Sequence, residues 1–131
     1  MPITYEIDEQ SALLLAKGVG SITEADVTGF VDALLADPGY ARATGSLVDF
    51  TEATFAVPSD RVAALAHLHR ELLARSRSSR VAVVARGDLN YGLARMYAQH
   101  RSVSGPEVVP FRDEASAREW LRGGGEGGAP N

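Results

Sequence analysis

The chain reads as an α/β domain, a mostly parallel sheet opened by an antiparallel hairpin, with helices packed on it. Three observations predict this. From about residue 20 onward, short apolar segments of strand length alternate with longer segments whose apolar residues recur at helical spacing. Two strand-like segments stand side by side at the start, separated only by a polar turn. The later strand centres, Leu47-Val48 and the Val81–Ala85 part of Arg80–Ala85 (RVAVVA), are continuously apolar, as expected of strands covered on both faces.

Taken in order, Ile3, Tyr5 and Ile7 alternate with polar residues, the period of a half-buried strand. Asp8-Glu9-Gln10 forms a tight turn, and Ser11 to Lys17 returns as the second strand, ended by Gly18 and Gly20. The first helix starts at Ser21 or Thr23. Ser21 with Glu24 fits a capping box, and Thr23 with Asp26 is a weaker version of the same device. Val27, Phe30, Val31, Leu34 and Leu35 give this helix one apolar face, and Asp37-Pro38-Gly39 stops it.

Gly45 to Phe50 is the third strand, followed by a loop of polar and aromatic residues. The second helix runs from about Ser59 to Arg75, with Val62, Leu65, Ala66, His69, Leu72 and Leu73 on one stripe. After the RVAVVA strand, Gly87-Asp88 leads into a third helix with Leu89, Leu93, Met96 and Tyr97 facing inward. Gly105-Pro106 breaks the chain before the last strand, Glu107 to Phe111. Pro110 cannot donate a ladder hydrogen bond, which places this strand's end, or the whole strand, at a sheet edge. Asp113 caps a final helix whose Ala117, Trp120 and Leu121 pack inward. The order is therefore ββαβαβαβα in one domain, residues 1–122. The tail from Gly123 to Asn131, with five glycines, has too little apolar surface to offset its ordering entropy and is expected to be disordered.

Composition narrows the function classes. Hydrophobic residues at 45% and charged residues at 23% suit a globular domain with a single core. No apolar run approaches the roughly 20 residues that span a bilayer. The start lacks the basic and apolar regions of a secretory signal, so a soluble cytoplasmic protein is the default expectation. There is no cysteine, hence no disulfide and no thiolate metal site. The net charge of −4 argues against nucleic acid as a partner. Arg70, Arg75, Arg77 and Arg80 form a local basic run, read as the solvated end of a helix.

The segment Gly45–Asp60 is the candidate site. Asp49 stands at a strand end, and Ser59 and Asp60 open the next helix, a junction where open α/β sheets tend to hold ligands. Asp49 either orients a ligand or bonds the backbone amides that follow it. Ser59 is read first as a helix cap. Phe50 and Phe55 could line an apolar pocket or a partner surface. Gly92, one turn into the third helix, either packs that helix close to a strand or leaves a gap for a ligand near Tyr91. His69 and His100 fall on apolar stripes and His67 on another face; no pair has the i, i+4 spacing of a helical metal site, so hydrogen-bonded histidines at the core edge are expected. No phosphate-binding glycine loop, nucleophile elbow or cofactor motif occurs. A non-enzymatic role without cofactor or metal is expected.

The element order, with Gly20–Asp26 before the first helix, Leu47–Phe50, Tyr91–Met96 and Val109–Leu121, resembles the STAS fold of anti-sigma factor antagonists, and more closely its SpoIIAA-like, STAS/Sec14-type group. The resemblance implies a signalling module that acts through protein contacts, with a partner such as a kinase or regulator. In that family a serine after the third strand is phosphorylated. Laid without gaps on this chain, the motif puts its leading Asp on Asp49, its Phe on Phe55 and the phosphorylated serine on Ser59. The adjoining Asp, Ser and Gly become Val57, Pro58 and Asp60, and a carboxylate beside Ser59 disfavours a phosphate there. The expectation is a recognition loop made of Asp49, Phe50, Phe55, Ser59 and Asp60 without the phosphoswitch. The kinship with Sec14-type proteins implies an alternative, a carrier of a small apolar ligand or lipid. An edge strand and exposed aromatics admit a homodimer.

Overall fold

A computed structural model of the chain describes residues 2–74, 80–101 and 107–123. Arg75, Arg77, the Gly105-Pro106 break and residues 124–131 of the tail lie outside the described residues.

The elements are β1 (Ile3–Asp8), β2 (Leu13–Ile22), α1 (Glu24–Leu35), β3 (Gly45–Phe55), α2 (Ser59–Leu72), β4 (Arg80–Ala85), α3 (Asp88–Arg101), β5 (Glu107–Phe111) and α4 (Glu114–Leu121), with a short 3-10 turn at Tyr40–Arg42. The ββαβαβαβα order is as expected. Strands lie in the order β1-β2-β3-β4-β5; β1 pairs antiparallel with β2, and the other pairs are parallel. β5 is an edge strand, as Pro110 requires.

This strand order bears on where a site can form. Each crossover after β2 steps to the adjacent strand in the same direction. With right-handed connections, that winds α1, α2 and α3 onto one face of the sheet. The reversal of strand order that opens a ligand crevice in doubly wound sheets does not occur among these strands. Among the described residues only α4 covers the opposite face.

Two cores follow. Under α1–α3 lie Leu14, Ile22, Phe30, Val31, Leu34, Val48, Phe50, Val83 and Ala94, among others. Under α4 lie Leu47, Ala82, Val84, Val109, Phe111, Ala117 and Trp120. Leu121 is partly buried against the second core, so the inward face expected for the last helix holds. Leu35, Leu72 and Leu89, expected on inner faces, are exposed; Leu89 retains 73% of its surface in the first turn of α3, and the small residues Ala94 and Ala98 make the buried stripe instead.

Several boundaries differ from expectation, among them the start of β2 at Leu13 and the end of α2 at Leu72. β2 runs on through Gly18 and Gly20 to Ile22, and β3 runs on to Phe55, because the two extensions pair with each other from Val19↔Glu52 to Ile22↔Phe55. Much of the supposed loop after Phe50 is therefore strand. The capping box of α1 belongs to Thr23 and Asp26, not Ser21 and Glu24: Asp26 N–H donates to Thr23 Oγ1 at 3.1 Å and Thr23 N–H to Asp26 Oδ2 at 2.9 Å. Ser21 is still in β2, whose extension displaces the helix start by two residues. At α2, Pro58 holds the cap position with no side-chain cap hydrogen bond, and Ser59 is the first helical residue. Asp113 caps α4 as expected, accepting from Ser116 N–H at 2.8 Å.

Candidate functional site

The residues proposed as one recognition loop are divided between the two faces of the sheet. Side chains alternate along a strand, so neighbours Asp49 and Phe50 point oppositely. Asp49 faces the α4 side, in a polar groove bordered by Thr4, Glu6, Lys17, Glu114 and Arg118. Phe50 is buried under α1–α3.

Phe55, five residues on, should by alternation point away from Phe50. A β-bulge prevents this. Between the pairs Lys17↔Asp49 and Val19↔Glu52, β3 spends one residue more than β2. The extra residue resets the alternation, and Ala53 and Phe55 rejoin Phe50 on the helix face. The two rings meet edge to face, centroids 5.0 Å apart at 86°. Asp49 holds the bulge: its Oδ1 accepts from Thr51 N–H at 2.8 Å and from Thr51 Oγ1 at 2.7 Å. Asp49 thus makes the local backbone bond, one of the two roles open to it, through Oδ1. Lys17 pairs across the strands with Glu52 at 2.8 Å.

Ser59 and Asp60 are exposed at the start of α2. The adjoining Arg61 reaches Glu24 through Nε to Oε2 and Nη2 to Oε1, both at 3.0 Å, and ties the starts of α2 and α1 together. That pairing holds the Glu24 carboxyl below its ordinary range.

Asn90 escaped sequence reasoning. β4 accompanies β3 only as far as Phe50, so the extension of β3 has one bare edge. Asn90, in the first turn of α3, closes it as a strand would: Nδ2 donates to Ala53 O at 3.0 Å, and Phe55 N–H donates to Oδ1 at 3.2 Å. An asparagine in a helix has no local pattern that announces such a clamp. Beside it, Tyr91 is half-buried under the Arg112 guanidinium, 4.1 Å from the ring centroid. Gly92 is exposed, with open space where a β-carbon would stand. The two do not line the cavity described next.

That cavity, about 120 Å³, lies between the sheet and α1–α3. Phe50 and Phe55 line it, with Val48, Val83 and Leu93 among its other apolar walls; its polar borders are Ser46, Tyr40, Tyr97 and Arg101. Behind it the three helices are joined by a hydrogen-bonded chain: Thr28 Oγ1 lies 3.1 Å from His69 Nε2, and His69 Nδ1 lies 2.7 Å from Tyr97 Oη. Burial, with the Arg101 charge second, lowers the His69 pKa to about 4. The imidazole is therefore neutral at pH 7, one nitrogen donating and the other accepting. Burial likewise raises Tyr97 to about 12. His69 is the hydrogen-bonded core histidine that its stripe implied. The His67 and His100 rings lie 5.8 Å apart, tilted by 53°, near Arg70, which donates to His100 O at 3.1 Å. Among the described residues no three His, Asp or Glu side chains gather as a metal site, and no helix is long and apolar enough to cross a membrane.

Comparison with solved structures places this architecture. The chain is similar to an uncharacterized protein from the DUF3478 family with a SpoIIAA-like fold from Shewanella loihica PV-4. The two share 26% sequence identity over 91% of this chain and 93% of the other, with a TM-score of 0.57. No family model matches the chain, and no curated protein does. The fold is SpoIIAA-like, as the sequence resemblance implied.

Proposed function

We propose that the chain is a non-enzymatic, STAS-like regulatory or binding module that works through protein contacts around the end of β3 and α2. The SpoIIAA-like fold supports this. The single observation that carries it is the use made of the reactive side chains. Asp49 is spent on the bulge, His69 on Thr28 and Tyr97, and the groove and the cavity lie on opposite faces of the sheet. Among the described residues no nucleophile and base are thereby set within reach of one bound substrate. Leu68 and Leu72, one turn apart on α2, offer exposed apolar area to a partner.

Ser59 is exposed, and its hydroxyl makes no cap bond. Asp60 beside it works against a phosphate. The test is cross-linking in the native host, followed by intact-mass measurement. Cross-links concentrated on residues 55–72 and lost in Leu68→Glu support the module, with an unmodified mass consistent with a constitutive one. A phosphate lost in Ser59→Ala would restore the switch. A turnover activity abolished by Asp49→Asn would overturn the non-enzymatic reading.

The cavity favours a second reading, a carrier of a small apolar ligand. Its 120 Å³ compares with the roughly 150 Å³ of an engineered apolar cavity that takes up benzene. A compact molecule fits that space, and a whole acyl lipid does not. Native mass spectrometry of freshly purified protein tests this: a co-purifying small molecule supports a carrier, and a bare mass in every preparation counts against it.

A further inference from the structure

We infer that the cavity is built for a compact apolar carboxylate of about benzoate size, whose head pairs with Arg101. This rests on the second reading above, that the cavity takes a small ligand, and names the ligand's chemistry.

Arg101 is the last residue of α3 and keeps only 2% of its surface exposed. A guanidinium stays charged at any pH a folded protein meets, so this is a buried cation. Its Nε and Nη1 are enclosed with no hydrogen-bond acceptor among the described residues. The four salt bridges among those residues do not include it. Two features offset the charge in part: the Tyr97 ring, 5.8 Å from the guanidinium carbon, and the negative end of the α3 dipole. Neither gives the two nitrogens an acceptor. Buried charges in proteins are ordinarily paired, and unmet donors at such a place mark a missing partner.

The position of the side chain says what that partner is. Arg101 borders the cavity, and so do the buried Ser46 and the phenols Tyr40 and Tyr97; beyond these four the walls are apolar. An anion placed there would lie beside the guanidinium, whose enclosed Nε and Nη1 would have to turn toward the cavity to meet it, while an apolar body would fill the space between Val48, Val83 and Phe50. A bare inorganic anion would meet only the first condition, and a neutral hydrocarbon only the second. The volume admits roughly one aromatic ring or an equally short branched chain.

The experiment is calorimetric titration of the full-length protein with sodium benzoate, benzyl alcohol and inorganic phosphate, repeated on Arg101→Met and Ala94→Leu, with circular dichroism confirming that each variant is folded. Ala94 lines the cavity, and a leucine there would fill it. The expected result is that wild type binds benzoate at least tenfold more tightly than benzyl alcohol and does not bind phosphate measurably. Arg101→Met should lose benzoate by tenfold or more yet keep benzyl alcohol, and Ala94→Leu should lose both. Equal binding of benzoate and benzyl alcohol by wild type overturns the inference while leaving the cavity a small-ligand site. Phosphate binding as tight as benzoate also overturns it, since the apolar part would then count for nothing. If wild type binds no probe at all, the carrier reading fails and the inference with it. Should Arg101→Met fail to fold, the comparison of the three probes on wild type still decides.

Discussion

Gly18 and Phe50 face each other so closely that a β-carbon at position 18 would stand 2.5 Å from both Cδ1 and Cε1 of the ring. The ring is buried and packed edge to face on Phe55, so making room would break that contact and push the ring into the cavity it lines. Gly18 thus does not end β2. It lets the strand pass under the aromatic pair that the bulge brings together. Gly18→Ala is expected to destabilise the fold by about 1–3 kcal/mol through overpacking. Urea denaturation measures this, and a double-mutant cycle identifies the cause: in a Phe50→Leu background the same substitution should cost less than about 1 kcal/mol. Equal costs in both backgrounds would assign the effect to the backbone and not to the ring.

The Asn90 clamp makes a second prediction. Asn90→Leu keeps the bulk but leaves Ala53 C=O and Phe55 N–H without partners on a half-buried edge. The expected loss is about 1–3 kcal/mol. Hydrogen exchange should show the loss of protection centred on the Phe55 amide, with the core of β4 unaffected. Asn90→Asp retains the acceptor for Phe55 and removes only the donor to Ala53, so it should keep Phe55 protection that the leucine variant loses. Uniform loss of protection across the sheet would refute a local clamp.

Helix starts separate two serine and threonine positions that look alike in sequence. Thr23 is a working cap, its hydroxyl accepting from Asp26 N–H, whereas the Ser59 hydroxyl makes no such bond. Thr23→Ala should cost about 1 kcal/mol and Ser59→Ala less than about 0.5 kcal/mol. Thermal unfolding of the two variants side by side distinguishes them. A larger loss at Ser59 would show that it caps α2 after all.

How much of this was legible depended on the range of the forces involved. Strand and helix type followed from local periodicity, and the β4 and β5 boundaries, along with the Asp113 cap, were readable because each is set by a few adjacent residues. The length of β3 was not, since residues 51–55 are held by pairing with β2 and by Asn90, thirty-five residues beyond Phe55. The grouping of Asp49 with Phe50 failed for a simpler reason: adjacency in a strand means opposite faces. Phe50 and Phe55, read as lining either an apolar pocket or a partner surface, both border the cavity, and the bulge explains how both reach it, whereas Tyr91 and Gly92, read as the pocket, do not border it. Arg101 passed unnoticed because an arginine near a helix end ordinarily reads as a solvated complement to the dipole.

The last prediction concerns pH. His69 has an ordinary pKa near 6.5 when unfolded and one of about 4 in the native protein, lowered by burial and then by the Arg101 charge. Between these values the unfolded chain binds the proton and the native one does not. Stability therefore rises with pH across that window and falls as pH drops from 6.5 through 4. The difference corresponds to at most about 3 kcal/mol, fully present above pH 6.5 and lost by pH 4. Carboxylates titrate in the lower part of the same range, so the informative quantity is the difference from His69→Gln, whose amide carries a donor and an acceptor but stays neutral across the range. Denaturant midpoints at pH 7, 6, 5 and 4 should fall more steeply for wild type than for the glutamine variant, most clearly between pH 6 and 5. Parallel curves would mean that His69 does not carry the pH dependence and that the Thr28–His69–Tyr97 chain tolerates a charged ring.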